Sequence, residues 1–358
     1  MSLKILHINT ELAWRGGERQ IDLLIRHATE VQHLIACHPE GALYHRLKHQ
    51  FPVIELVLSN GMDLRAAQAI AHICQNHAVD IIHCHTPKAQ SVVVISRLLG
   101  NRTPMVVTKR TSFPVKNNYF SRYKYRKTHQ VVCVSETSAD ALRNQIPELN
   151  IRIIPSAIEQ VSQVESGVIE KKFPETKGRL KVGYVAALTE EKNPLAFVET
   201  ARKLQQTLPK VIFLWVGEGK LRPVVEAQIA KYNLTANILL TGFQKDIHSW
   251  IADLDLLFFP SLSEGYPTTL LDAMQFDVPI IASDIAGIRE IIQHQENGWL
   301  CQPHDSTCFT SGIEKILSDA AWRQTITTCA RTSLKGRHAE DMARAYVGVY
   351  RHVLQLPA

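Results

Sequence analysis

The sequence SEGYPTTLLDAM, which runs from Ser263 to Met274, places two carboxylates on either side of an expected helix start. Pro267 has the fixed φ and the missing N–H that suit a first helical position, so we predict that a helix begins there. The backbone amides of Thr268 and Thr269 would then point out of the helix end, where the helix dipole also favours negative charge. Together these groups predict a phosphate site.

The two acids of the same stretch flank this site. Glu264 lies in the loop before the expected helix, and Asp272 lies five residues into it. That offset is about 7–8 Å along the axis at about 1.5 Å per residue, which is near the span from a diphosphate to the hydroxyls of its ribose. The segment therefore predicts a clamp for a nucleotide-diphosphate-sugar. An amphipathic helix with a merely solvated Asp272 is the alternative for this stretch taken alone.

The segment resembles the E-x7-E signature of retaining glycosyltransferases with the GT-B fold, specifically glycosyltransferase family 4 (glycosyl transferases group 1), with Asp272 in place of the second Glu. The resemblance implies that Glu264 lies against the donor sugar and that Asp272 accepts hydrogen bonds from the ribose. Asp is one methylene shorter than Glu, so the ribose contact is the weaker part of the match. The predicted donor contacts in this segment are Gly265, Tyr266, Pro267, Thr268, Thr269 and Asp272.

Length and composition are those of a soluble globular protein with two domains: 358 residues, 45% of them hydrophobic and 21% charged. The 7 cysteines are scattered, odd in number and without a C-x-x-C pair, which favours reduced thiols over a disulfide framework or a zinc site. The N-terminus enters a strand-like run without a signal peptide, and no apolar stretch approaches the roughly 18 residues of a membrane span. We expect a cytoplasmic protein and leave open a position at the inner face of the cytoplasmic membrane.

Short apolar runs alternate with longer helical patterns along nearly the whole chain. The strand-like runs are 5–8, 31–36, 53–58, 81–83, 105–108, 130–134, 180–185, 211–216, 238–241, 256–259 and 279–282. The clearest helical patterns in the first half are 18–28, 64–76, 89–99 and 138–145. This α/β alternation predicts two doubly wound, Rossmann-like halves with parallel sheets. Ligands of such sheets bind outside the carboxyl ends of the strands, so two halves facing across a cleft would hold a ligand between them.

The polar stretch 159–177 separates the two series and predicts a linker. We expect an N-terminal, acceptor-side domain over 1–165 and a C-terminal, nucleotide-sugar-binding domain over 178–340. The stretch 341–354 has a helical pattern. The GT-B resemblance implies that this C-terminal helix, within 341–358, crosses back to the N-terminal domain.

Two motifs of the first half follow strand-like runs. Gly16 and Gly17 open a helix after the first run, similar to the family's Gly-Gly that approaches the donor diphosphate; a plain tight turn is the alternative. His83 and His85 lie on the same side of a strand by its two-residue period. The resemblance implies that His85 meets the transferred sugar or the acceptor side, and a structural histidine is the alternative. A metal site would need a third ligand, and the sequence shows none at suitable spacing. We therefore predict neither a metal nor a cofactor.

The second half carries a candidate diphosphate contact at Lys192. Residues 188–194 resemble the family's G-R-L-x-x-E-K-N segment, whose Arg and Lys neutralise the diphosphate; Lys192 matches, but Ala187 replaces the Arg. Arg110, from the first half, is our hypothesis for a compensating charge, and a surface ion pair is its alternative. Turns that resemble the family's contacts near the nucleotide base contribute Gly217, Gly242 and Phe243.

A net charge of +6 and a pI near 8.9 suggest an anionic partner. Cations alternate with aromatics from Lys116 to Lys127, a mixture that suits a membrane surface. A solvated helix, contact with a membrane or lipid-linked acceptor, and stacking of single-stranded nucleic acid all remain open for this segment. We do not expect a nucleic acid partner.

The resemblance implies a retaining, metal-independent glycosyltransferase that moves a sugar from a nucleotide-diphosphate-sugar donor to a hydroxyl acceptor. Glu264, Lys192 and His85 are the predicted catalytic residues. The basic aromatic segment favours a lipid-linked or lipopolysaccharide acceptor in cell-envelope biosynthesis, with a small soluble acceptor as the alternative. A nucleotide-sugar epimerase or hydrolase on the same fold, and a catalytically silent nucleotide-sugar-binding protein, are the competing hypotheses.

Overall fold

The computed structural model describes residues 2–116 and 118–355 of the chain. These divide into two compact units: unit 1 comprises Met1–Glu159 and Gly336–Ala358, and unit 2 comprises Gln160–Lys335. Each unit contains one sheet in which all paired strands are parallel, with helices between successive strands. The architecture is the predicted one, an α/β protein with two Rossmann-like halves.

Unit 1 has a 7-stranded sheet in the order β3-β2-β1-β4-β5-β6-β7. Its strands are β1 (Lys4–Asn9), β2 (Gln32–Cys37), β3 (Val53–Glu55), β4 (Ile81–Cys84), β5 (Met105–Lys109), β6 (Gln130–Cys133) and β7 (Ile151–Ile153). Its helices are α1 (Gly16–His27), α2 (Ala42–Leu47), α3 (Leu64–Asn76), α4 (Pro87–Ser96), α5 (Tyr119–Arg126), α6 (Glu136–Arg143) and, at the end of the chain, α15 (Ala339–Val353).

Unit 2 has a 6-stranded sheet in the order β10-β9-β8-β11-β12-β13. Its strands are β8 (Leu180–Val185), β9 (Val211–Val216), β10 (Ile238–Gly242), β11 (Leu256–Phe259), β12 (Ile280–Ser283) and β13 (Trp299–Cys301). Its helices are α7 (Val168–Lys172), α8 (Pro194–Leu204), α9 (Arg222–Lys231), α10 (Ile247–Ala252), α11 (Thr268–Gln275), α12 (Ala286–Arg289), α13 (Ser306–Ser318) and α14 (Ala320–Thr332).

The C-terminal helix α15 packs on the first unit, as predicted. Tyr346 and Tyr350 are buried with Leu24 of α1 and Val106 of β5 in one hydrophobic core. A second core covers the other face of the same sheet and includes residues of α3 and α4. The sheet is therefore buried on both faces, which explains why its strands are apolar runs and not alternating ones.

The expected linker is wrong for most of its length, because residues 160–177 belong to unit 2 and contain α7. Ile169 on this helix is fully buried. The carboxylate of Asp253 accepts hydrogen bonds from the amides of Gly167 and Ile169, so it anchors the helix start. A polar composition with one buried apolar anchor gave no periodic pattern that would reveal this helix.

The expectation of reduced thiols is wrong for one pair, because Cys301 and Cys308 form a disulfide. Cys301 ends β13 and Cys308 lies in the first turn of α13, so a tight β–α connection brings their Cα atoms to 5.7 Å. The free cysteines in the described part of the chain are Cys37, Cys74, Cys84, Cys133 and Cys329. Within the same residues, no helix has both the length and the apolar character needed to cross a bilayer.

Candidate active site

The loop after β11 places Glu264 in a network of hydrogen bonds at the carboxyl edge of the second sheet. Its Oε1 lies 2.5 Å from Lys192 Nζ and 2.6 Å from Ser261 Oγ, which donates to it. Tyr184, which is fully buried, lies 2.5 Å from the same Ser261 oxygen. Because Ser261 donates its hydroxyl proton to the Glu264 carboxylate, the Tyr184 hydroxyl must donate to Ser261 Oγ. The structure thus brings together the two predicted catalytic residues of unit 2.

Helix α11 starts one residue later than predicted, so the expectation that Pro267 is its first residue is wrong. Pro267 is the N-cap, with φ −77° and an extended ψ of 102°, and Thr268 is the first helical residue. The amide of Leu270 donates to the Pro267 carbonyl in a tightened first turn. The amides of Thr268 and Thr269 precede any intrahelical acceptor, which is the arrangement required for binding an anion.

Asp272 lies on the inner side of α11 and is 2% exposed. Its Oδ1 is 3.5 Å from His248 Nε2 of α10. A buried carboxylate of this kind is held in place and not merely solvated, which contradicts the alternative interpretation of an exposed Asp on an amphipathic helix. Contact with a ribose stays a prediction. No sequence motif identified His248.

Glycines shape the strand ends around this site. Gly217 has φ +147°, and a Cβ there would lie 2.0 Å from the carbonyl oxygen of Ala186. A Cβ at Gly287 would lie 2.3 Å from the Glu264 carbonyl oxygen, so this residue lets α12 pack directly under the Glu264 loop. Gly242 has φ +74° beside Glu218, and Phe243 after it is 62% exposed. Gly287 is therefore a positioning residue that the sequence did not single out as a site residue.

The carboxyl edge of the first sheet carries Gly16, Gly17 and Arg110. Both glycines open α1 after β1, as predicted, and an added Cβ at Gly16 would have no heavy atom within 4 Å. Arg110 directly follows β5, and its Cδ would lie 3.6 Å from a Cβ at Gly17. The buried Nε of Arg110 has no hydrogen-bond partner among the described residues, so the expected alternative of a surface ion pair is wrong for this atom.

Glu18, in the first turn of α1, supplies a buried negative charge next to Arg110. Its carboxylate accepts from Asn9 Nδ2 at 3.2 Å and from the Arg15 amide at 3.0 Å. Burial raises the pKa of Glu18, while these hydrogen bonds and the charge of Arg110 act in the opposite direction. Burial lowers the pKa of Arg110 in turn. The sequence did not single out Glu18 as a site residue.

Four buried histidines, which we call the histidine cluster, lie next to one another within the first sheet: His7 of β1, His33 near the start of β2, His83 of β4 and His85 after β4. The rings of His83 and His85 are 4.0 Å apart, so they lie on one side of the strand as predicted. Burial, followed by neighbouring charges, lowers the pKa of His7, His83 and His85 well below the ordinary value.

The expectation that His83 and His85 have no third ligand near them is wrong. One nitrogen from each of His7, His83 and His85 lies within 4.8 Å of the other two. His7 comes from a different strand, so its proximity depends on the pairing of β1 with β4 and not on sequence spacing. Hydrogen bonds already use both nitrogens of His7 and both of His83, with Tyr350 and Thr108 as the partners of His83. A metal ion would have to displace these bonds.

Two family descriptions match the chain, one on each unit. Residues 166–333 match Glycosyl transferases group 1, and residues 14–160 match Glycosyltransferase Family 4. The chain belongs to glycosyltransferase family 4. Its two-sheet architecture is the GT-B fold, since Anabaena HepE in complex with UDP-glucose superposes with a TM-score of 0.85 over 98% of this chain and 100% of that one, at 20% identity.

Two curated relatives of this family 4 glycosyltransferase carry the names of transferases that act on undecaprenol-linked sugars. The UDP-Gal:α-D-GlcNAc-diphosphoundecaprenol α-1,3-galactosyltransferase of Escherichia coli is 24% identical over 277 residues, 72% of this chain and 71% of the relative. The N-acetylgalactosamine-N,N′-diacetylbacillosaminyl-diphospho-undecaprenol 4-α-N-acetylgalactosaminyltransferase of Campylobacter jejuni is 25% identical over 289 residues, 76% of each chain. Glycosyl transfer is therefore the activity of the family to which this chain belongs.

The basic aromatic segment of the glycosyltransferase forms α5, with Asn117 outside the described residues. Tyr119, Phe120 and Tyr123 are 82%, 41% and 37% exposed. Lys124 instead points inward, where its Nζ lies 3.3 Å from the Pro87 carbonyl oxygen, and burial lowers its pKa. Helix α5 therefore exposes three aromatic rings of this segment and buries one of its cations.

Proposed function

We propose that this glycosyltransferase moves a sugar from a nucleotide-diphosphate-sugar to a hydroxyl acceptor with retention of anomeric configuration. The observation that carries the proposal is the 2.5 Å contact between Lys192 and Glu264, which lies in the loop that leads into α11. A cation and two backbone donors suit a diphosphate, while a carboxylate suits sugar hydroxyls. Complexes of a neighbour in fold with UDP and glucose support this choice of donor.

The proposed reaction breaks the bond between the anomeric carbon and the terminal phosphate oxygen, and the electron pair stays on that phosphate. The acceptor hydroxyl attacks from the same face and gives its proton to the leaving phosphate. Lys192 and the amides of Thr268 and Thr269 stabilise the charge that develops there. Glu264 orients the sugar, and its own position is fixed by Ser261. In the first unit, His85 faces the sugar or the acceptor, and Arg110 supplies the cation missing at Ala187.

We propose that the reaction needs neither a metal nor a cofactor, because Lys192, Arg110 and the helix amides supply the positive charge at the phosphates. Transfer assayed after exhaustive chelation with EDTA should proceed at the untreated rate. Loss of transfer that returns with added magnesium or manganese would contradict this part of the proposal.

The proposed acceptor is a lipid-linked glycan intermediate at the inner face of the cytoplasmic membrane. The names of the Escherichia coli and Campylobacter jejuni relatives both include a diphospho-undecaprenol acceptor. Helix α5 adds a physical argument, because Tyr119, Phe120 and Tyr123 are exposed beside the exposed cations Arg122 and Lys127. Rings at the interface and cations at headgroup level suit an anionic membrane, with about 1 kcal/mol for each basic residue.

Membrane contact is tested by sedimentation of the protein with vesicles. Vesicles of phosphatidylcholine mixed with phosphatidylglycerol should bind the protein, and phosphatidylcholine alone should bind it weakly. The variant with Tyr119→Ser and Tyr123→Ser should lose most of the binding, whereas Tyr232→Ser in unit 2 should not. Equal binding by all three proteins would contradict a role of α5.

The donor is tested by thermal unfolding with UDP-, GDP- and ADP-sugars, followed by transfer assays with lipid-linked and small soluble acceptors. A ligand at about a hundred times its Kd adds about 2.7 kcal/mol of stability. Lys192→Met should abolish the stabilisation by the true donor. Lys210→Met is the matched control, since Lys210 precedes β9 at the opposite edge of the sheet.

Three outcomes separate the competing functions. Transfer with an α-linked product from an α-linked donor, read from the anomeric proton signal, supports the proposal. Donor turnover without an acceptor favours a hydrolase or an epimerase. Donor binding without turnover on any acceptor favours a catalytically silent binding protein.

A further inference from the structure

A row of buried imidazoles connects the first sheet's interior to His85. His33 Nε2 lies 3.0 Å from the Ala28 carbonyl oxygen, His33 Nδ1 lies 2.9 Å from His7 Nε2, and His7 Nδ1 lies 3.0 Å from His85 Nε2. All three side chains are buried: His7 is 0%, His33 8% and His85 7% exposed. The row therefore has a fixed protein acceptor at one end and His85 at the other.

The hydrogen bond between His33 and the Ala28 carbonyl determines where the protons of the row lie. A carbonyl oxygen only accepts, so His33 Nε2 carries the hydrogen, and the Nδ1 of a neutral ring must then accept from His7 Nε2. His7 Nδ1 in turn accepts from His85 Nε2. Burial, which lowers the pKa of His7, His33 and His85, keeps the rings neutral. Each ring in the row is thus the Nε2–H tautomer, and His85 Nδ1 carries a lone pair.

One unsatisfied group remains at the end of the row. His85 Nδ1 is buried with no hydrogen-bond partner among the described residues. Its lone pair can accept a hydrogen bond, and a hydroxyl group is a donor of the right size.

We propose that His33 and His7 are positioning residues that fix His85 as the Nε2–H tautomer, so that its Nδ1 accepts a hydrogen bond from a substrate hydroxyl. The substrate part rests on the proposed function, whereas the tautomer part does not. His83 stands outside the row, because its partners Tyr350 and Thr108 carry hydroxyls that either donate or accept.

The tautomers are tested in the ligand-free protein by long-range ¹H–¹⁵N correlation spectra of ¹⁵N-histidine-labelled protein above pH 7. Signals are assigned by single substitutions. His7, His33 and His85 should all show the Nε2–H pattern. A Nδ1–H or doubly protonated His85 would overturn the proposal, whether or not the protein transfers sugars.

Matched variants at position 33 test the coupling. His33→Asn keeps an acceptor oxygen near the place of Nδ1, so His85 should remain the Nε2–H tautomer and kcat/KM should stay near the wild-type value. His33→Leu removes the acceptor, so that His7 and then His85 can change to the other tautomer. His85 should become a mixture of tautomers, and kcat/KM should fall about tenfold, the effect of one lost hydrogen bond.

The outcomes distinguish this proposal from the proposed function. If both variants lose stability while His85 keeps its Nε2–H pattern, His33 is merely structural and the proposal fails. If the wild-type protein shows the expected tautomers but transfers no sugar from UDP-, GDP- or ADP-sugars, the proposed function fails while the row stands. A His85 signal that does not move with the true donor or acceptor bound overturns the hydroxyl contact.

Discussion

The hydrogen-bonded row Tyr184–Ser261–Glu264 predicts a measurable coupling energy. Ser261→Ala leaves the buried Tyr184 hydroxyl with no acceptor at 2.5 Å and removes a donor from Glu264. Tyr184 is 0% exposed, so water cannot replace the lost partner without rearrangement. An unsatisfied buried donor costs about 1–3 kcal/mol. We therefore expect Ser261→Ala to destabilise unit 2 by about 2 kcal/mol.

Tyr184→Phe removes the other partner and should cost about 1 kcal/mol, the net worth of an ordinary hydrogen bond. The double variant has no orphaned hydroxyl, so its cost should be about 1 kcal/mol less than the sum of the two single costs. Urea unfolding followed by tryptophan fluorescence is a suitable assay, because 4 of the 5 tryptophans lie in unit 2 and Trp215 is 4.5 Å from the Tyr184 ring. The exposed control Ser318→Ala should change stability by less than about 0.5 kcal/mol. Strictly additive costs of the two substitutions would contradict the hydrogen-bonded coupling of Tyr184 and Ser261.

Four further predictions follow from other features of the molecule. Gly287→Ala should lower kcat/KM by about a hundredfold, because its Cβ forces the Glu264 loop to move, and steady-state kinetics checks this. Gly348→Ala, with no atom within 4 Å of the new Cβ, should instead stabilise α15 by about 1 kcal/mol in thermal unfolding. Arg110→Ala should lower kcat/KM by about 10- to 100-fold, and Ala187→Arg in the same chain should restore part of it; full activity of the single variant would contradict the compensation. Acidification from about pH 7.5 to 5.5 should lower the free energy of unfolding of unit 1 by about 4 kcal/mol, which hydrogen exchange of the β1 amides measures. If the histidine cluster has ordinary pKa values, this loss of stability should not occur.

The sign of that pH effect follows from the pKa shifts. Burial lowers the pKa of His7, His83 and His85 in the folded protein, whereas the unfolded chain takes up protons below about pH 6.5. Their stabilising effect is complete above that pH and is lost as the pH falls. Each ring that stays neutral contributes about 1.4 kcal/mol over the range, so three contribute about 4 kcal/mol.

Regular elements could be predicted because their apolar patterns are local. The strands β8, β9 and β11 have the predicted bounds, since buried parallel strands are short apolar runs. The 3-residue strands β7 and β13 were missed, whereas the equally short β3 lies inside the longer predicted run 53–58. The start of α11 was misplaced by one residue, because Pro267 suits both an N-cap and a first helical position and only its ψ separates the two.

Contacts between distant parts of the chain could not be predicted. His7 lies on β1 and His33 on β2, whereas His85 follows β4. Ser261 and Tyr184 show no motif of their own, and only the fold brings them to Glu264. Gly287 is similar, because its importance comes from the loop 23 residues earlier that packs on it. The sequence identified residues that resemble a family signature, and packing determined the residues that hold them in place.

A crystal structure with the nucleoside diphosphate of the true donor would show whether a diphosphate binds at the start of α11. The terminal phosphate should accept hydrogen bonds from the amides of Thr268 and Thr269 and lie in contact with Lys192. A diphosphate bound elsewhere, with the start of α11 still empty or covered by protein, would contradict the proposed diphosphate site.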